Sequence, residues 1–396
     1  MTDNGRSTNT GLQGLRVAHL SSVHSWSDNR IHFREAASLQ AAGADVVVVA
    51  NAPQFPAKAI AAVHALRLRR RALRMLISSA EAVAYAIRRR VDVAHLHDPE
   101  LVPFIPVLKA FGIKVVYDAH EDLLEQIGNK PYLPRRTKHL AQTLARPLIR
   151  LAGTADLIVT ATKKVAERFP PAKTVVVHNY PLLSPSAPVI PDIDEREFAV
   201  VYVGALSEAR GAITMLDALE HRAFPQGWRL LLAGGGHPEL LARMKSHPGW
   251  GAVDFLGEVA PTEARTLMER ARIGLAVLHD NPAYREALPT KMFEYFASGM
   301  PAIVSDFSLW RDIVERWDCG VVVAPDSPEA LADAIARYVS EPDLLKRHAE
   351  NAARAAKSEF NWAPEAAHLV TAYRALRTPS ARLVVEPSFV SETPTS

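Results

Sequence analysis

One cysteine in 396 residues, Cys319, leaves no partner for an internal disulfide and no thiolate set for a zinc site. Read alone, it is a small buried thiol. Long apolar runs are missing as well. No stretch approaches the roughly eighteen uninterrupted apolar residues a membrane span needs, and the polar opening MTDNGRSTNTG lacks the apolar core of a signal peptide. The expectation is a cytoplasmic chain. No zinc spacing, RNA-binding aromatic signature or recognition-helix pattern occurs, so nucleic acid is not an expected partner. The net charge is only +3, yet it is unevenly placed. Arginine is concentrated in ALRLRRRALRM (65–75), IRRRV (87–91) and RPLIR (146–150). Such clusters attract phosphates, with solvated helix faces as the plainer reading.

What is present is globular composition, 48% hydrophobic and 22% charged, in a chain too long for one ordinary core. LRVAHLSS (15–22), the helically spaced IHFREAASLQAAG (31–43) and ADVVVVA follow one another as strand, helix and strand. Continuous β-branched runs mark parallel strands buried on both faces. The alternation continues through VDVAHLH, IKVVYDAH, a basic helix near 135–152, ADLIVTA and KTVVVHN. A proline-rich stretch, 181–197, reads as a linker. A second series then runs from FAVVYVG through WRLLLAGGG, VDFLG, IGLAVL, PAIVSD and GVVVAP. The reading is α/β with two Rossmann-like domains, 15–180 and 198–359, which face each other across a ligand cleft. An amphipathic helix at 360–377 crosses back to the N-terminal domain, between a flexible N-terminus (1–14) and a flexible tail (378–396).

The most specific string is HDNPAYREALPTKMFEYFASGMPAIVSD. Glu286 stands in a loop and Glu294, eight positions on, near the start of a helix whose positive end suits a phosphate. Glu294 is placed to accept hydrogen bonds from vicinal ribose hydroxyls. In YVGALSEARG, Gly204 lets the backbone approach a diphosphate and Arg210 offers it a bidentate fork. In the first half, SSVHSWSDNRI, LHDPEL and VYDAHED each put polar groups at a strand's carboxyl end, where α/β ligands bind.

These motifs, from about Leu15 to Leu376, resemble glycosyltransferase family 4, the retaining enzymes of GT-B fold, and most closely its bacterial surface-polysaccharide members. The resemblance implies a GT-B architecture and sugar transfer, with retained anomeric configuration, from a nucleotide diphosphate donor. Its roles pass residue by residue. Glu294 holds the ribose; Glu286 and His120 lie by the donor sugar. Arg210, Lys291 and the helix start at Leu288, Pro289 and Thr290 hold the diphosphate, while backbone near Gly257 and Val259 lines the base. Glu286, His120 and Arg210 are the catalytic candidates. Where the family has a first cation in Gly-Arg-Leu this chain has Ala205, and Lys291 compensates. His97, Asp98, Asp28 and Arg30 are acceptor-side candidates, and the last two stand where many relatives have a glycine-rich element. No metal and no cofactor are implied; the aspartates of DID (192–194) fall in the linker. The expected partners are a UDP- or GDP-sugar, a glycan or lipid-linked acceptor and an anionic membrane surface on the inner face of the cell membrane. Two other readings fit the same architecture: a nucleotide-sugar epimerase and a noncatalytic nucleotide-sugar-binding protein.

Overall fold

The structure is a computed structural model and describes residues 11–52, 59–70, 73–121, 123–124, 135–183 and 192–377. It divides into two compact units, one of residues up to Asn179 together with those from Pro364 onward, the other Tyr180–Ala363. The tail 378–396, residues 1–10 and the middle of the expected linker (184–191) lie outside the described residues. Leu12, within the N-terminal stretch read as flexible, is fully buried, and Arg377 donates to the carbonyls of Gly11 and Gln13. That stretch is therefore packed from Gly11 on. The far end of the linker is packed too, with Ile193 and Arg196 buried and Arg196 donating to the carbonyls of Ala271, Ser298 and Gly299.

The first unit holds a seven-stranded parallel sheet in the order β3-β2-β1-β4-β5-β6-β7. The strands are Arg16–Ser25, Asp45–Asn51, Ala62–Leu66, Val93–Leu96, Lys114–Ala119, Leu157–Thr160 and Thr174–Val176, numbered β1 to β7 in chain order. β4 is buried at all four positions and β5 at five of six. Helices therefore cover both faces, which is why the segments read as unbroken apolar runs. Edge strand β3 is half-buried and its sequence, AVHAL, carries no such run. It was not anticipated. The final helix, Trp362–Arg377, lays Leu369, Ala372 and Tyr373 on the first unit, all at most 1% exposed. That i, i+3, i+4 spacing makes one apolar stripe. The Tyr373 hydroxyl reaches His95 Nδ1 at 2.9 Å.

The second unit holds a six-stranded parallel sheet, β10-β9-β8-β11-β12-β13. Its strands, numbered on in chain order, are Ala199–Val203, Arg229–Ala233, Val253–Gly257, Ile273–Ala276, Ala302–Ser305 and Gly320–Val323. Helices Ser308–Trp317, Pro328–Ser340 and Pro342–Ser358 complete it. In both sheets the strand order reverses once, between β1 and β4 and between β8 and β11. At such a switch point adjacent connections leave on opposite faces, opening a crevice at the carboxyl ends of the strands.

Candidate functional site

In the first unit the crevice is floored by a buried polar network. Arg30, 3% exposed, binds Asp118 bidentately (Nε to Oδ2 and Nη2 to Oδ1, both 2.9 Å) and donates to the Val177 carbonyl at 2.8 Å. Its Nε also lies 3.0 Å from Glu35 Oε1. Burial opposes charge on Asp118, yet Arg30 and then His120 hold its carboxyl well below the usual range. Glu35 goes the other way. Burial, reinforced by neighbouring Asp118, raises its carboxyl well above the usual range.

Asp118 in turn anchors the imidazoles. His120 Nε2 lies 2.8 Å and His97 Nδ1 3.3 Å from Asp118 Oδ2, and His97 Nε2 meets His19 Nδ1 at 2.8 Å. Burial lowers the pKa of both His19 and His97, which favours neutral rings; His97 bridges His19 and Asp118, whereas His19 Nε2 is buried without a hydrogen-bond partner. The His120 side chain is 22% exposed and is the end of this chain that meets solvent.

Asp98 is 1% exposed; its Oδ2 accepts from the backbone N–H of Ser22 at 2.6 Å, from that of Val23 at 3.2 Å and from Ser21 Oγ at 3.0 Å. Its carboxylate shapes the loop after β1. Asp28 caps the following helix through Arg30 N and Ile31 N and meets His24 Nδ1 at 3.2 Å. Burial alone would favour neutral His24, but the Asp28 hydrogen bond and nearby Asp98 outweigh it and raise its pKa. His24 and His120 rings lie 5.3 Å apart, which makes His24 a site residue absent from the sequence-based set. The signal was there in the four-residue spacing of His24 and Asp28.

A metal is conceivable on the donor atoms of His19, Glu35, His95 and His97, all within 4.8 Å of one another, or of His97, Asp118 and His120. In the first set His19 Nε2, His95 Nε2 and both Glu35 oxygens are buried without a hydrogen-bond partner, while the Arg30 guanidinium stands 3.0 Å from Glu35 Oε1 and supplies positive charge there. In the second set, Asp118 is already neutralised by Arg30.

In the second unit the strand ends are built of glycine. Gly204 (φ +139°) and Gly234 (φ +148°) approach so closely that a Cβ on Gly234 would sit 1.9 Å from the Gly204 carbonyl oxygen. Only glycine permits that contact. Gly204 N donates to Ala233 O, Gly234 N to Gly257 O and Leu206 N to Gly235 O, which stitches the ends of β8, β9 and β10 together.

Beside them stands Lys291, in the first turn of helix Thr290–Ala297. Its Nζ lies 3.5 Å from the centre of the Tyr202 ring and is buried with no hydrogen-bond partner. An alanine at position 204 would touch that Nζ at 3.4 Å. Burial first, then the Arg210 guanidinium, push the ammonium well below the usual lysine range, while Glu294 opposes them. Lys291, Arg210 and Glu294 thus share one electrostatic site. The helix is fixed by Tyr295, whose hydroxyl donates to Leu275 O at 3.1 Å. Leu288 packs on the core, and the Ala287 carbonyl accepts from Trp310 Nε1 at 2.6 Å. Glu286 is exposed on that loop next to the Arg285–Asp280 ion pair. Gly257 closes β10, and partly buried Val259 packs on the core just beyond it.

Comparison with known proteins gives these arrangements a lineage. Residues 33–180 match the model of the glycosyl transferase 4-like domain, and residues 185–355 that of glycosyl transferases group 1. An exopolysaccharide phosphotransferase of Streptomyces coelicolor is 32% identical over 127 residues, covering 32% of this chain and 13% of that protein. A glycogen synthase of Mycobacterium tuberculosis is 28% identical over 193 residues, 47% of this chain and 45% of the relative. The chain thus spans less than half the length of these curated relatives. Among solved structures, sucrose-phosphate synthase from Thermosynechococcus elongatus superposes with a TM-score of 0.72 at 19% identity, covering 92% of this chain and all of that one. Anabaena HepE in complex with UDP-glucose gives 0.67 at 17%, covering 91% and 100%. Family models across both units, and a fold shared end to end with such structures, agree: the chain belongs to the family 4 glycosyltransferases of GT-B fold.

Proposed function

We propose that the protein transfers a sugar from a nucleoside diphosphate sugar to an acceptor hydroxyl, with retention, in polysaccharide or lipid-linked glycan assembly. The observation that carries this is Lys291, a buried ammonium without a hydrogen-bond partner, held beside glycine-built strand ends and sharing its site with Arg210 and Glu294. A buried cation without a counterion is costly. A diphosphate supplies the missing charge, and Arg210 with the helix start at Pro289 to Thr290 takes up what develops as the nucleotide leaves. Glu294 receives the ribose hydroxyls, and the base lies near Gly257 and Val259. Glu286 stabilises the positive sugar ring. In the first unit, His120, braced by Asp118, and His24 serve the sugar and acceptor hydroxyls. His97, Asp98, Asp28 and Arg30 keep those groups in place. The donor is a UDP- or GDP-sugar; the HepE structure of the same fold holds UDP-glucose. The arginine-rich first unit draws the enzyme to anionic lipid on the cytoplasmic face of the membrane; no helix among the described residues is long and apolar enough to cross it.

The test is incubation with UDP-, GDP-, ADP- and dTDP-sugars, reading free nucleotide and the anomer first formed. Slow release of one nucleoside diphosphate with retained configuration is expected. Release of a monophosphate would move the reaction to phosphosugar transfer, and an epimerised donor to isomerisation. No turnover with any donor, and no thermal shift from any nucleoside diphosphate, would remove the nucleotide site itself.

A further inference from the structure

Two arginines of IRRRV (87–91), Arg88 and Arg90, line a cavity of about 800 Å³ in the first unit. It lies at the amino ends of β1, β4 and β5, where Arg16, Val93 and Lys114 begin their strands. The crevice that carries His120 is at the carboxyl ends. β5 runs from Lys114 to Ala119 and so holds the cavity about 20 Å from His120, at about 3.3 Å per residue. A ligand in the cavity therefore takes no part in chemistry at that histidine. The volume is within the range of small-molecule sites, about 300 to 1,000 Å³.

The lining is strongly basic. Arg16, Arg88, Arg90, Lys114 and Arg377 face a single carboxylate, Asp92. That carboxylate is already taken: Arg16 Nη2 lies 2.9 Å from its Oδ1, and Arg16 Nε and backbone N donate to its Oδ2 at 3.2 and 2.8 Å. Lys114 is held by the Leu376 carbonyl, and Arg377 by the carbonyls of Gly11 and Gln13 at 2.9 and 3.3 Å. Carbonyls orient these cations without neutralising them. The side chains of Arg88 and Arg90 make no hydrogen bond or ion pair among the described residues and are exposed to the solvent that fills the cavity.

A plainer role for the cluster is to offset the carbonyl end of helix Ser79–Arg89. Arg89 suffices for that. It stacks over the Tyr85 ring at 5.6 Å and does not line the cavity. Arg90 is held in the left-handed region at φ +52°, the helix-ending conformation in which glycine is free of steric cost. An arginine there is a strained choice that puts a guanidinium on the cavity wall. The remaining wall is apolar, with Ile87, Ile113 and Phe111, whose ring is 63% exposed. Unpaired guanidinium forks select phosphoryl oxygens, and an exposed aromatic ring offers a stacking face.

We propose that this cavity binds a small organic polyphosphate, an aromatic ring carrying two or more phosphoryl groups, with Arg88 and Arg90 on the phosphates, Lys114 and Arg377 adding positive charge and Phe111 against the ring. This ligand is neither the sugar donor nor the acceptor, and the site stands without any assumption about sugar transfer.

The experiment is calorimetric titration of the full chain with adenosine triphosphate, tripolyphosphate and adenosine, without divalent cations. Lys291→Met is the parent for every variant, so that the phosphate contact of the second unit is removed throughout. The parent is expected to bind adenosine triphosphate, tripolyphosphate more weakly and adenosine not measurably. Adding Arg88→Gln and Arg90→Asn should weaken adenosine triphosphate at least tenfold with the thermal midpoint unchanged, because neither guanidinium has a partner in the protein. Phe111→Ser should weaken adenosine triphosphate and leave tripolyphosphate as it was, a split that a damaged fold would not produce. Adenosine triphosphate binding within twofold of the parent in the arginine variant overturns the proposal. So does a parent that binds neither anion. Equal affinity for adenosine triphosphate and tripolyphosphate, unmoved by Phe111→Ser, overturns the aromatic part and leaves a site for inorganic phosphate chains.

Discussion

The strand ends of the two units solve opposite electrostatic problems. In the first, Arg30 is enclosed by Asp118, Glu35 and the Val177 carbonyl, and each buried imidazole of the relay meets a partner. In the second, Lys291 is buried against Tyr202 with only Arg210 and Glu294 acting on it from a distance. The first arrangement pairs its buried guanidinium and holds His120 and His24 at the rim, although His19 Nε2, His95 Nε2 and both Glu35 oxygens are buried without a hydrogen-bond partner. The second leaves the Lys291 amine buried without a hydrogen-bond partner, where we propose that a diphosphate binds. Removing one partner of a buried bidentate pair is costly, whereas a buried cation without a counterion itself costs stability, so substitutions at Asp118 and at Lys291 should act with opposite signs.

The largest effect expected from breaking this contrast is at Asp118. Asp118→Asn leaves the Arg30 guanidinium buried without its bidentate partner and should destabilise by about 3 to 5 kcal/mol, read as a fall in the urea midpoint. An equal loss for Lys291→Met would erase the distinction between the units. The expectation there is an unliganded protein as stable as wild type or more so.

Next in size is the effect on turnover. Glu286→Gln should lower kcat by roughly 100-fold, about 2.7 kcal/mol, with nucleotide affinity nearly intact, because it removes charge felt mainly in the transition state. Glu294→Ala should chiefly raise the donor KM. Steady-state kinetics with calorimetric nucleotide binding separates the two. Turnover in Glu286→Gln within about twofold of wild type would make that exposed loop carboxylate a bystander.

Lys291→Met and Arg210→Ala sharpen the comparison through affinity. Each should weaken UDP or GDP by about 1.5 to 3 kcal/mol and leave the nucleoside unaffected, since only phosphate uses a charge-assisted contact. Equal losses for nucleoside and nucleotide would take the residue out of the phosphate site.

The smallest expected signal is a proton. Because the folded Lys291 pKa lies well below the unfolded value, the unfolded chain binds more protons between the two, and this group's contribution to stability rises with pH across that window. A bound diphosphate reverses the shift. Nucleotide binding in the upper part of the window should therefore take up protons, detectable as a dependence of calorimetric enthalpy on buffer ionisation heat. Lys291→Met should abolish it; uptake unchanged in the variant would assign the proton elsewhere.

Much of the second unit's site was legible. The LPTKMFEYFASG string put Lys291 and Glu294 on one helix, and short sequence separation kept their relation intact on folding. The first unit was harder to read. Arg30 stood out as a candidate for the acceptor, but its partners are 88 residues away at Asp118 and in a carbonyl after β7, and Glu35 lies inside a helical segment with nothing local to mark it. Asp98 was legible as an acceptor-side candidate, but its hydrogen bonds to the loop after β1 were not. Strand β3 escaped because an edge strand needs no continuous apolar run.

The alternation of strands and helices, apart from edge strand β3, and the two-unit plan were legible in the sequence alone, because periodicity and short-range spacing fix local conformation. Tertiary structure decided which charges are spent and which remain available. That depends on burial and on partners from distant strands, as the pairing of Arg30 with Asp118 and the isolation of Lys291 show, because the energy of a charge is set by the whole surroundings and not by its neighbours in the chain.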